Sequence, residues 1–169
     1  GKIEADGRGF DTGGWNGWYN WGQRGDSECN TSPGSDNSAE CSGGGGGYSH
    51  PSWCDHNQHG SGGGGNKTAG KMGMHHNCGC ENGGHGGQAK GVDGGSELHF
   101  GGAGGGTYGG GGRGGGIIVL GAETIIVESG GSISANGGNG GGGCHGSGGG
   151  GAGGTVALFA DNFQLDGTV

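Results

Sequence analysis

Residues 114–137 read GGGIIVLGAETIIVESGGSISANG and hold most of the dense apolar sequence of the chain. Thirty-eight residues downstream, residues 153–165 read GGTVALFADNFQL, with Val156, Leu158, Ala160 and Leu165 in the places of Ile118, Leu120, Ala122 and Val127. Recurrence at a fixed spacing marks a repeat whose units bury their apolar faces against one another. The other half of the first copy, Ser132-Ile133-Ser134-Ala135-Asn136-Gly137, is echoed at the start of the chain by Lys2-Ile3-Glu4-Ala5-Asp6-Gly7. The second copy therefore begins at residue 153 and finishes on a segment like residues 1–7. That predicts a C-terminus continued, in space or in a longer precursor, by another N-terminus.

The spacing within the repeat predicts strands. Ile117–Val127 reads as one or two strands with Glu123-Thr124 as a corner, and residues 1–9 as a short strand with Ile3 and Ala5 on one face, ended by Gly7 and Gly9. Val119 and Ile126 put apolar groups on the second face as well, as Ala157 and Phe159 do in the second copy, so cover is expected on both sides. The glycine tracts or an adjacent subunit are the expected cover. Ile3, Ala5, Ile118, Leu120, Ile133, Val156, Leu158 and Leu165 are thus the candidate assembly positions.

Composition explains why assembly is expected at all. Of 169 residues 58 are Gly, and only 28 carry large apolar side chains. Glycine loses the most backbone freedom on folding, so a conventional core cannot order this chain. Order has to come from dense backbone hydrogen bonding, disulfides and association with other copies. The tracts at 83–116 and 137–154 lack both the strict third-residue frame and the proline of collagen, and bulky residues recur too often for a flexible linker. They predict extended polyproline II strands packed side by side. The expected fold class is all-β and polyproline II, with no significant helix.

A net charge of -8 with seven Lys plus Arg excludes a nucleic-acid or anionic-membrane surface. No run reaches the roughly 18 apolar residues of a membrane span. The start, GKIEADGRG, has neither Met nor signal-peptide character, which predicts a processed or excerpted chain. Six cysteines in so core-poor a chain, Cys29, Cys41, Cys54, Cys78, Cys80 and Cys144, read as a disulfide framework in an extracellular compartment. Their pairing stays open among fifteen arrangements.

Five of the six lie in residues 23–82, which read as a polar, stapled loop insertion in a single domain. Asn30-Thr31-Ser32 and Asn66-Lys67-Thr68 match the N-glycosylation signal. Arg24-Gly25-Asp26-Ser27 spells an integrin-binding tetrapeptide. Residues 65–72 fall one residue short of a phosphate-binding loop, with Met72 where a Mg²⁺-holding hydroxyl belongs. His75, His76, Cys78 and Cys80 carry the donor types of a zinc or copper site but not its paired spacing, so no metal or other cofactor is expected. Upstream, Trp15, Trp18 and Trp21 recur every third residue, which would align three indoles along one edge of a polyproline II helix for stacking on sugars, or for making a local core.

The alternation of Gly-x-Ile-x-Ala-x-Gly, the tract GGGGAGG and Val-x-Leu-x-Ala over residues 1–9 and 101–169 resembles the glycine-rich repeats of large secreted and surface proteins of bacteria and protists. More loosely, the cysteine-punctuated tracts resemble the glycine-rich domain of anaplastic lymphoma kinase-type receptors, the distal adhesins of phage tail fibres and the snow-flea antifreeze proteins. What these imply is a fold of packed polyproline II helices, and none brings a catalytic motif.

Three roles follow as expectations. The leading one is a structural subunit of an extracellular fibre or surface layer, a homopolymer joined head to tail through the strand edges at residues 1–9 and 163–169. The second is a glycan-binding adhesin or receptor-ectodomain module. An enzyme is the least supported, because no apolar pocket-forming sequence is present to shift a pKa or exclude water. Ice binding and metal storage are minor alternatives.

Overall fold

The computed structural model describes residues 1–12, 23–28, 39, 41–47, 60–73, 83–90, 97–107, 109–142 and 146–169. Among them there is no helix. Four strands, β1 (Lys2–Glu4), β2 (Ile117–Val127), β3 (Ser132–Ser134) and β4 (Thr155–Leu165), form two parallel two-stranded sheets, β1 with β3 and β2 with β4.

The parallel register matches like with like. Ile118 lies beside Val156, Leu120 beside Leu158, Ala122 beside Ala160 and Val127 beside Leu165, a constant offset of thirty-eight residues. Ile3 lies beside Ile133 in the short sheet. The match continues past the strand, where Gly7 N donates to Asn136 O at 2.9 Å and Asn136 N to Asp6 Oδ1 at 2.7 Å. β3 also has a neighbour on its other side: Ser132 N donates to Gly1 O, whereas Ile133 N donates to Thr168 O. The echo at residues 2–7 therefore sits on the side of β3 opposite Thr168. Within one molecule it begins the stack rather than finishing the second copy.

β2 runs unbroken through Glu123-Thr124, so the expected corner is not an interruption. A trace of it survives in the side-chain phase. Ile118 and Leu120 face the core from even positions, but Ile125 and Val127 do so from odd ones, and the ladder omits the Glu123 position. An extra residue in the alternation keeps Ala122 and Ile125 on one face, as a bulge does. The core is small: Ile118, Ile125, Val127 and Ile133, flanked by Ala5, Leu120, Val156, Leu158 and Ala160. On the second face Ala157 is buried, whereas Val119, Ile126 and Phe159 are exposed within one molecule.

The tracts pack on each other through backbone hydrogen bonds. Gly101 and Gly104 donate to Gly115 and Gly112; Gly102 and Gly105 donate to Gly65 and Gly62; Ala103 and Gly106 donate to Asp26 and Gln23. One segment thus addresses three neighbours in rotation, each met again after three residues, at 2.9 to 3.2 Å. No residue with a side chain could take most of these places. A Cβ on Gly105 would lie 2.1 Å from the carbonyl oxygen of Gly45, and one on Gly62 1.9 Å from that of His85.

Candidate assembly interface

Stacking strands on a thirty-eight-residue period leaves the two ends of the stack unlike its middle. Ile133, flanked on both sides, is 4% exposed, whereas its ladder partner Ile3 in the end strand is 46% exposed. At the opposite end Ile125 is 8% exposed and its partner Phe163 49%. Leu165, partner of the buried Val127, and Val169 are exposed in the same way. These side chains occupy positions that are buried one strand further in.

Among the described residues, the short layer holds three neighbouring segments, residues 1–7, β3 and Thr168, but the long layer holds only β2 and β4. Beside the outer edge of β2, where a third long strand would match residues 1–7, lies a cavity of about 440 Å³. Ile3, Leu120, Ile125, Val127 and Ile133 line it with the apolar interior of the stack, and Lys2, Glu128 and Ser129 lie at its rim. A second open cavity, about 470 Å³, follows β4 past Leu158, Phe159, Ala160 and Phe163.

Polar side chains fix where the strands start. Asn66 Nδ2 donates to Gly153 O at 2.7 Å and to Gly154 O at 3.1 Å, and Thr155 Oγ1 both donates to His99 O and accepts from His99 N. Together they hold the entry to β4. Just past the ends of β1 and β3, Asp6 accepts from the Asn136 backbone. That hydrogen bond, with help from Ser134, Asn136 Nδ2 and Lys2, holds the Asp6 carboxyl below its ordinary range.

The expected strand positions Ala5, Ile118, Leu120, Ile133, Val156 and Leu158 meet around this core, whereas Ile3, beside Ile133, and Leu165 lie at its exposed ends. Of the expected disulfide cysteines, Cys41 is disulfide-bonded and takes the left-handed backbone, φ 49°; Cys29, Cys54, Cys78, Cys80 and Cys144 lie outside the described residues. So do Trp15, Trp18, Trp21, Asn30, His75 and His76. The described residues contain no cluster of three metal-ligating side chains. At Asn66 both amide protons are used in holding β4, and a glycan would replace one of them. Arg24-Gly25-Asp26-Ser27 is packed into the glycine bundle rather than displayed on a loop: Gly25 and Ser27 are buried, and burial, aided by Asp11, pushes the Asp26 carboxyl up.

Family models, curated proteins and solved structures gave no match to the chain. No helix among the described residues is long and apolar enough to cross a membrane. The tethers at Asn66, Thr155 and His99 were missed by sequence reading, and their only trace in the sequence is a polar residue interrupting a glycine tract.

Proposed function

We propose that this protein is a structural subunit of an extracellular fibre or surface assembly, in which copies join head to tail by extending the parallel strand stack. The observation that carries this reading is the pair of exposed interior ends, Ile3 at one and Phe163 with Leu165 at the other. Unpaired strand edges recruit further strands, and large apolar groups on such an edge add a hydrophobic gain to the hydrogen bonds. The three-residue rotation of hydrogen bonds in the glycine tracts supports polyproline II geometry, whose turn is three residues long. A rigid bundle of that kind would carry the strand stack as a spacer. The disulfide at Cys41 supports an oxidising, extracellular setting.

The test is assembly itself. Negative-stain electron microscopy and analytical ultracentrifugation of the concentrated protein are expected to show polymers. Monodisperse monomers at every concentration would overturn the reading.

A further inference from the structure

We infer that the joint is a parallel pairing of β4 from one copy with the outer edge of β2 in the next, in the register already used inside the molecule. This rests on the assembly reading above and specifies its interface. The occupant of the groove beside β2 is a second copy of this chain for three reasons. First, Ile125, Val127 and Leu120 line the groove, and the strand that packs beside these residues on the other edge of β2 is β4 itself, with Phe163, Leu165 and Leu158 as their partners. A strand that fits one edge of a parallel ladder at a thirty-eight-residue offset meets the same side chains on the other edge.

Second, β4 has no strand on its outer edge among the described residues, and Phe163 and Leu165 are exposed there, so donor and acceptor lie on opposite ends of one stack. Such a heterologous contact leaves a free end on each copy and propagates. Third, the short layer fits the same translation. β1 of the second copy would lie beside β3 of the first, as β1 lies beside β3 within one chain. One local change accompanies this: Thr168, now beside Ser132, gives up that place to Lys2 of the second copy. The continuous structure is then two sheets, in which β2 and β4 alternate in the long layer and β1 and β3 in the short layer, each copy adding two strands to each.

The register makes a specific cross-link possible. Ile126 and Gln164 are ladder partners on the outward face, and across the joint Gln164 of one copy would lie beside Ile126 of the next. Neighbouring strands bring Cα atoms to a separation that a disulfide spans. An I126C chain and a Q164C chain are mixed, assembled and oxidised, with the linked peptides identified by mass spectrometry. Each chain carries one new thiol, so a 126–164 bridge forms only between copies. The expected result is that bridge in the mixture, neither variant linking to itself through its new cysteine, and its loss when V119C replaces I126C.

Polymers lacking the 126–164 bridge, or linked 126–126 or 164–164, would overturn the register while leaving the assembly reading standing. A mixture that stays monomeric while the unsubstituted chain polymerises is resolved by a second pair on the same ladder, T124C with N162C, whose failure to bridge within polymers overturns the register. If the unsubstituted chain itself never polymerises, both readings fall.

Discussion

Ile125 and Phe163 are neighbours in one parallel ladder and face the same core, yet Ile125 is 8% exposed and Phe163 49%. The difference comes from position in the stack, since Ile133 closes over the β2 side and, among the described residues, no corresponding apolar side chain closes over Phe163. Substitution should therefore separate folding from assembly. Ile125→Ala is expected to cost the monomer about 2–5 kcal/mol, seen in its melting transition. Phe163→Ser should leave melting nearly unchanged but raise the critical concentration for polymerisation roughly tenfold, the equivalent of about 1.4 kcal/mol per joint. Equal effects of Phe163→Ser on both measurements would mean that the side chain serves the monomer alone.

Two glycines, one in a tract and one in β2, should behave in opposite ways. Gly105 sits where a Cβ would lie 2.1 Å from the Gly45 carbonyl oxygen, whereas nothing lies within 4 Å of one at Gly121. Backbone cannot yield as a flexible side chain can, so Gly105→Ala is expected to destabilise by about 1–3 kcal/mol or prevent folding. Gly121→Ala restricts the unfolded chain without a clash and should stabilise by about 0.4–1 kcal/mol. Denaturant titration of the two variants checks the contrast.

That contrast also shows what sequence could convey. The thirty-eight-residue offset was readable because parallel stacking puts each side chain beside its repeat equivalent, so Leu120 and Leu158, or Ala122 and Ala160, coincide in both sequence and space. The likeness of residues 2–7 to 132–137 was readable too, but not that it places Ile3 beside Ile133 in the same molecule. The neighbours of the tracts were not readable, because glycine has no side chain whose period could reveal which of three directions an amide takes. Nor was the phase shift at Glu123-Thr124, since two-sided apolar sequence hides a change of face. Asn66 looked like a sugar acceptor because its neighbours spell that signal, while its contacts lie 87 and 88 residues away.

Acid should act on two carboxylates in opposite directions. Asp6 is held below its ordinary value of 3.8 by the Asn136 amide, so the folded state binds its proton less readily than the unfolded chain. Its contribution is present above that value and is lost as pH falls through the lower folded pKa. Asp26 is raised, chiefly by burial and then by Asp11, so its ionisation opposes folding as pH rises past 3.8 toward its folded pKa. Melting curves at neutral pH and near pH 3 are expected to show Asp6→Asn less stable than the parent at neutral pH, with the gap closing in acid. Asp26→Asn should be the more stable at neutral pH, again with the gap closing. Parallel curves for either variant would remove the assigned cause.

Glu123 and Asp161 occupy the same point of the repeat, at the one place where the β2–β4 ladder records no pair, between Ala122 with Ala160 and Thr124 with Asn162. Both are exposed, and like charges side by side across strands disfavour pairing by roughly 0.2–1 kcal/mol. In an extended stack this becomes a column, because each added copy places another Asp161 beside the Glu123 of the next. Adjacent strands stand about 4.8 Å apart, well inside the Debye length of about 8 Å at physiological ionic strength, so added salt relieves only part of the repulsion. Polymerisation is therefore expected to strengthen with salt in the parent chain. Glu123→Gln should polymerise at a lower critical concentration and show a flatter salt dependence, followed by light scattering across a sodium chloride series. A Glu123→Gln chain with the parent's salt slope would locate the repulsion elsewhere in this acidic molecule, whose net charge of -8 opposes any contact between copies.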